Sequence, residues 1–196
     1  MKKIILASNN KHKIQEIGYI LSDYEILSLK DIGYTEDIVE DGNTFLENSL
    51  IKAKTIMEYI KDKEYNCDVL ADDSGLCVNA LDGRPGIYSA RYSGDHDNQA
   101  NRDKIRSELK DKEDRSAYFF CGIILYHQDG TYEYFEGKTT GTIIDEERGN
   151  KDFGYDCIFL SDDLNKTFGE ATEEEKNSVS HRKRALNKLL YSKETL

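Results

Sequence analysis

The chain has no CxxC pair, no Cys/His cluster at zinc-ligand spacing and no apolar run long enough to cross a bilayer. The first two absences exclude a zinc ribbon and a dithiol redox centre. The four cysteines, Cys67, Cys77, Cys121 and Cys157, are far apart, each in or beside an apolar segment, and read as reduced, mostly buried thiols with no chemistry of their own. The third absence excludes a membrane-spanning helix. The apolar part of the opening MKKIILASNNKHK is too short for a signal peptide, so a cytoplasmic location is expected. Positive charge is also scarce: 27 Lys and Arg stand against 38 Asp and Glu, a formal charge of −11. That balance argues against binding nucleic acid in general, which needs a cationic surface. Any anionic ligand must be met by a local cluster.

There is no internal repeat, no low-complexity tract and no Pro-, Gly- or Ser-rich linker, so residues 1–196 read as a single domain. With 38% hydrophobic and 33% charged residues, the composition is that of a globular protein with a substantial core. Lys3 to Ala7 reads as a strand, and Ile14, Ile17 and Leu21 share one face of a following helix. Glu25 to Leu29 is a second strand. Thr44 with Glu47 forms a capping box for a helix carrying Leu46, Leu50, Ala53, Met57 and Ile60 at helical spacing. Val69 to Ala71 reads as a short buried strand ending in a turn over Asp72, Asp73, Ser74 and Gly75. Ala117–Leu125 and Tyr132–Ile144 form a long hairpin around Gln128, Asp129 and Gly130, and Cys157–Leu160 a last strand. A second capping box, Thr172 with Glu175, opens a helical C-terminus. The expected fold class is α/β, a mixed sheet in two lobes with flanking helices and a cleft between the lobes.

Asp72 and Asp73 carry the strongest chemical signal. Adjacent carboxylates where a strand opens into a glycine-rich loop suggest a Mg²⁺ ligand set or an acid/base couple, with a solvated turn as the alternative. Ser8, Asn9, Asn10, Lys11, His12 and Lys13 lie between the first strand and first helix, where N–H groups, the helix dipole and lysine favour a phosphate, or else simply cap the helix. The G-x-x-x-x-G-K-[ST] phosphate loop is missing. Glu40 precedes the Thr44 capping box, and Lys52 within that helix faces either water or a phosphate. Phe153, Gly154, Tyr155 and Asp156 offer aromatic faces beside a carboxylate, as a base pocket would, or are plain core and edge residues. Lys176, His181 and Arg182 cannot share one face of a continuous helix. For them to meet one ligand the helix must break, and Ser178 and Ser180 are the residues able to restart it.

Taken in order, SNNKHK (8–13), EDGNTFLENSLIKA (40–53), LADDSGL (70–76), GRPGIYSARYSG (83–94), FGYDCIF (153–159) and EEKNSVSHR (174–182) resemble the inosine/xanthosine triphosphate pyrophosphatases, the Ham1-like family of enzymes acting on noncanonical purine nucleotides. The resemblance spans nearly the whole chain. It implies Mg²⁺-dependent hydrolysis of ITP, dITP or XTP to the monophosphate and pyrophosphate, by a dimeric protein of mixed α/β fold. It further implies that Ser8 to Lys13 and Lys52 bind phosphates, that Glu40 and Asp73 hold Mg²⁺ with Asp72 supporting them, and that Asp73 is the proton acceptor. Ser74, Phe153 to Asp156, Lys176, His181 and Arg182 would contact the substrate. Phe153 or Tyr155 is expected to stack on the base, and His181 and Arg182 to donate to its 6-keto oxygen. Cys157 stands where proline commonly follows FGYD, and Asp152 where glycine is common. Ser8 and Asn9 stand where Thr and Gly are frequent. Two other readings are a pyrophosphatase of modified pyrimidine triphosphates, as in the Maf-like family, and a nucleotide-binding sensor without turnover.

Overall fold

In the computed structural model, which describes residues 2–94 and 96–194, strand β1 (Lys2–Leu6) is exposed at Lys2 and Lys3 and buried on both faces from Ile4 to Leu6, as a parallel strand between helices is. Ile4 and Leu6 enter one hydrophobic core while Ile5 and Ala7 enter another, the two-residue alternation of a strand. β1 pairs in parallel with β2 (Tyr24–Leu27) and with β3 (Asp68–Val78), Ile4 opposite Asp68 and Leu6 opposite Leu70. Parallel neighbours need crossover helices, and these are α1 (Lys11–Ile20) and α2 (Phe45–Ile60). Ile17 and Leu21, at the end of α1, join Ala185, Leu186 and Leu189 of α5 (His181–Glu194) in the core with Ile4 and Leu6. Ala53, Ile56 and Ile60 of α2 fill the core with Ile5 and Val69.

The remaining strands are β4 (Ser116–Tyr126), β5 (Tyr132–Ile143) and β6 (Phe159–Ser161), giving a mixed six-stranded sheet in the order β2-β1-β3-β4-β5-β6. The chain forms two compact units, one of Met1–Asp73, Cys121–Gly137 and Arg182–Leu196, the other of Ser74–Phe120 and Lys138–His181. The second unit has its own core, in which Leu76, Val78, Phe119, Ile143, Phe159 and Phe168 meet Ile105 and Leu109 at the end of α3 (Asn98–Glu108). Its short helix α4 (Glu173–Val179) is opened by the complete Thr172/Glu175 capping box.

Several expectations need correcting. Asp72, Asp73, Ser74 and Gly75 are not a turn; β3 runs through them to Val78. Locally these are turn-forming residues, but both carboxylates are buried and partnered by charged or polar side chains, which outweighs the local preference. Gly75 is needed there because a Cβ would lie 2.3 Å from the Gly86 carbonyl oxygen and 2.5 Å from Ser89 Oγ. Cys157 and Ile158 belong to a 3₁₀ turn, Asp156–Ile158, rather than to a strand. Thr44 caps α2 by accepting from Glu47 N, but the Glu47 side chain accepts from Asn43 N, one residue before the cap. Helix α3 gave no sequence signal, because NQANRDKIRSE carries a single strongly apolar residue, Ile105.

Gly75→Ala should lower stability by about 1–3 kcal/mol through overpacking against backbone. Thermal unfolding of the variant should show a midpoint several degrees lower; an unchanged midpoint would mean the Gly86 segment moves aside at no cost.

Candidate active site

β1 stops at Leu6, opposite Leu70, with Ala7 N donating to Leu70 O at 2.8 Å, so Asp72 and Asp73 lie past its carboxyl end. This is where open α/β sheets place ligands. Leu70 packs into the core shared by α1 and α5, while Val69 and Ala71 pack into that of α2. Continuing the alternation, Asp72 points to the α1/α5 side and Asp73 to the α2 side.

Asp72 is almost completely buried. Lys13 Nζ, from the first turn of α1, lies 3.2 Å from Asp72 Oδ1 and 3.1 Å from Oδ2. Arg182, the second residue of α5, donates from Nε and Nη2 to Oδ2, both at 3.2 Å, and from Nη1 to Glu16. Cys121 Sγ lies 3.9 Å from the same Oδ2. Burial alone would raise the Asp72 pKa; Lys13, Arg182 and Lys52 outweigh it and hold the carboxyl well below the usual carboxylate range. Asp72 is therefore a permanent anion.

Asp73 has the opposite balance. Its burial pushes the pKa up, Glu40 adds a like charge, and Lys52, Asn48 and Lys13 oppose them without cancelling the rise. Asn48 Nδ2 donates to Asp73 Oδ2 at 3.0 Å. Lys52, one turn further along α2, places Nζ 2.9 Å from Glu40 Oε2. Burial would lower the Lys52 pKa, but Asp72, Asp73 and Glu40 raise it, so the ammonium stays charged. The two neighbouring carboxyls thus have environments that drive their pKa values in opposite directions.

The first loop is partly committed to its own helix. Asn10 is the N-cap, its side chain accepting from His12 N at 3.0 Å and Lys13 N at 3.3 Å, and Ser8 Oγ accepts from Asn10 N at 3.1 Å. Lys11, His12 and Lys13 are thus the first turn of α1 rather than loop. Asn9, Lys11 and His12 are exposed.

In the second unit, Phe153 is exposed and Tyr155 is buried, its hydroxyl donating to Ser89 O at 2.6 Å. Of the two aromatics expected to stack on a base, Phe153 is the one presented to solvent. Gly154 adopts a positive φ of 46° between them. Lys176 forms an ion pair with the buried Asp156 and sits 4.5 Å above the Phe153 ring centroid. Ser180 has extended backbone between α4 and α5, so the helix does break and His181 opens α5. The His181 ring stacks on Phe119 with centroids 5.2 Å apart. Ser74 occupies a half-buried position on β3.

Three residues here escaped the sequence reading. Asn48 lies four residues before Lys52, a spacing that would have placed both on one helix face. Glu16 carries the same signal weakly, one turn after Lys13. Arg102 had none: from α3 it donates to Gly154 O at 2.8 Å and Lys151 O at 3.3 Å, and pairs with Glu147 at 3.1 Å, so it holds the Phe153 segment from below.

Among the described residues no three His, Cys, Asp or Glu side chains gather to cage a metal ion. Mg²⁺ does not need such a cage, since one or two carboxylates, waters and substrate phosphates suffice. Glu40, paired with Lys52 at 2.9 Å, and Asp73, held by Asn48 at 3.0 Å, are hard oxygen donors of the type Mg²⁺ takes.

The first unit thus holds a buried anion with a lysine and an arginine and a second carboxylate of raised pKa beside a lysine, and the second unit presents an aromatic segment capped by a cation. A model of the Ham1 family matches residues 4–192, and the chain belongs to that family. It is 50% identical to the dITP/XTP pyrophosphatase of Clostridium perfringens over 195 residues, covering 96% of each chain. It is 45% identical to the dITP/XTP pyrophosphatase of Bacillus subtilis over 194 residues, again 96% of each. Among solved structures, the Ham1 protein of Staphylococcus aureus superimposes with a TM-score of 0.87 at 38% identity over 99% of both chains. A HAM1 protein from Coxiella burnetii gives 0.87 at 35% identity over 100% of both.

Glu147 tests the support of the Phe153 segment. Burial would raise its pKa, but Gln99, Arg102 and Arg106 bring it down to about 2 from 4.5. A lowered folded pKa stabilises above the unfolded value and is lost as pH falls through the folded one. Urea unfolding should therefore show Glu147→Gln less stable than the parent by about 1–3 kcal/mol at pH 7, with the gap closing between pH ~4.5 and ~2. A gap independent of pH would remove the ionised carboxylate as its cause.

Proposed function

We propose that this chain is a pyrophosphatase of noncanonical purine nucleoside triphosphates, hydrolysing dITP, ITP and XTP to the monophosphate and pyrophosphate and so cleansing the nucleotide pool. The observation that carries the reading is the split of Asp72 and Asp73 into a fixed anion and a carboxyl of raised pKa, each attended by a lysine, in a chain whose relatives are named dITP/XTP pyrophosphatases. The family model spans nearly the full length, which supports treating both units as one catalytic domain, 1–196.

Glu40 and Asp73 would hold Mg²⁺, and when bound the ion supplies charge neutralisation of the phosphates. We assign Asp72 a supporting part, since both its oxygens already meet Lys13. Lys13 and Lys52 are the cations for the phosphates, with Ser8, Asn9, Asn10, Lys11 and His12 lining the same helix terminus. Asp73 is the proton acceptor for the attacking water, a task that burial favours by raising its pKa. Phe153 is the stacking face. Gly154, Asp156, Ser74 and Lys176 complete substrate binding, with Lys176 held by Asp156, while the expected contact from Tyr155 gives way to core packing that fixes the segment. His181 and Arg182 are assigned to the 6-keto oxygen; an adenine amino group there would leave donors unsatisfied at a cost of about 1–3 kcal/mol. No helix among the described residues is long and apolar enough to cross a membrane, and we place the protein in the cytoplasm as a homodimer on the family resemblance.

Turnover of dITP, ITP, XTP, ATP, GTP and dTTP with Mg²⁺, with both products measured, decides the reading. Monophosphate and pyrophosphate from the first three in preference to the rest is expected, with loss on chelation and a fall of about 10²–10⁴-fold in Asp73→Asn. Preference for modified pyrimidine nucleotides, or binding without turnover, would overturn it. Arg182→Ala should lose more activity on ITP than on ATP; a proportional loss on both would confine Arg182 to holding Asp72.

A further inference from the structure

Asn48 lies on the buried face of α2, only 2% exposed, with both ends of its side chain engaged. Its Oδ1 accepts from Gly42 N at 2.9 Å and its Nδ2 donates to Asp73 Oδ2 at 3.0 Å. The orientation of the amide follows from its partners. A backbone N–H only donates, so the oxygen must face Gly42 and the NH₂ must face the carboxylate. Gly42 stands two residues after Glu40, and Lys52 on the next turn of α2 reaches Glu40 at 2.9 Å. Consecutive turns of one helix therefore tie the Glu40 segment to Asp73. The contact is tight: a Cβ on Gly42 would fall 2.7 Å from Asn48 Oδ1. Ser49 Oγ, donating to Gly122 O at 2.9 Å, anchors the same turn of α2 to β4.

We propose that Asn48 is a positioning residue, whose amide, oriented by the Gly42 N–H, fixes the rotamer of Asp73 and joins it to the segment carrying Glu40. The amide hydrogen keeps Oδ2 an acceptor. The proposal rests on the pyrophosphatase reading only for the kcat comparison; the coupling of Asp73 to the Glu40 segment is a matter of binding geometry. Groups that orient metal-binding side chains are typically worth about 10–100-fold in affinity or activity.

The test compares the parent with Asn48→Leu, of similar size but with no donor, and Gly42→Ala, which keeps Asn48 and crowds its oxygen. Mg²⁺ binding is measured by calorimetry on the nucleotide-free protein, kcat and KM on dITP, and folding by thermal denaturation. Both variants should bind Mg²⁺ about tenfold more weakly and lose about 10–100-fold in kcat, with KM within about threefold, Gly42→Ala the milder. A purely structural role would lower the unfolding midpoint while leaving Mg²⁺ affinity and kcat per folded molecule within threefold, and that result overturns the proposal. If Asn48→Leu does not fold, Gly42→Ala decides by the same criteria. A parent that binds Mg²⁺ without hydrolysing dITP would sink the functional reading alone, since the calorimetric comparison still judges Asn48.

Discussion

Two carboxylates in succession cannot both be buried on one face of a strand without a cation between them. On β3 the two-residue period sends Asp72 to the side of α1 and α5 and Asp73 to the side of α2, and the first unit's chemistry follows from that division. On one side Lys13 and Arg182 surround a buried anion, and Glu16 pairs with Arg182 in turn. The cost of burying these ions is met by their mutual hydrogen bonds, and removing any one of them would leave the others uncompensated. On the other side a single lysine, Lys52, faces Glu40 and Asp73, and negative charge remains in excess. Burial lifts the Asp73 pKa and the Glu40 charge adds to the rise.

The second unit solves a different problem, the presentation of one exposed aromatic ring on a short irregular segment. Arg102 hydrogen-bonds the backbone of that segment and is itself neutralised by Glu147. Lys176 closes the other end, paired with Asp156 while lying over the Phe153 ring. Tyr155 is spent on packing, its hydroxyl satisfied by the Ser89 carbonyl. One segment of FGYD thus contributes an exposed ring, a glycine for the bend, a ring for the core and a carboxylate for a lysine.

Features governed by local physics were legible without coordinates. The Thr172/Glu175 capping box, the apolar faces of α1 and α2 and the break at Ser180 depend on residues within a turn or two of each other, and they stand as read. Asp72 to Gly75 misled for the same reason: their local tendency is to turn, and only partners distant in sequence hold them extended. Helix α3 was invisible because its stability comes from Ile105, the Asp97 cap and the ion pairs of Arg102 and Arg106, not from an apolar stripe.

The amino-acid sequence by itself determined the α/β class, the family and which residue types are available for chemistry, because blocks of charged, glycine and aromatic residues in fixed order leave little freedom in what the chain resembles. Tertiary structure alone decided what each residue does. Which of Asp72 and Asp73 has its pKa lowered and which raised, whether Tyr155 or Phe153 meets solvent, and whether the Asn48 amide lies on the helix surface or bonds a carboxylate are settled by burial and by neighbours distant in sequence. Those are sums of desolvation and Coulomb interactions over three-dimensional distances, which spacing along the chain does not encode.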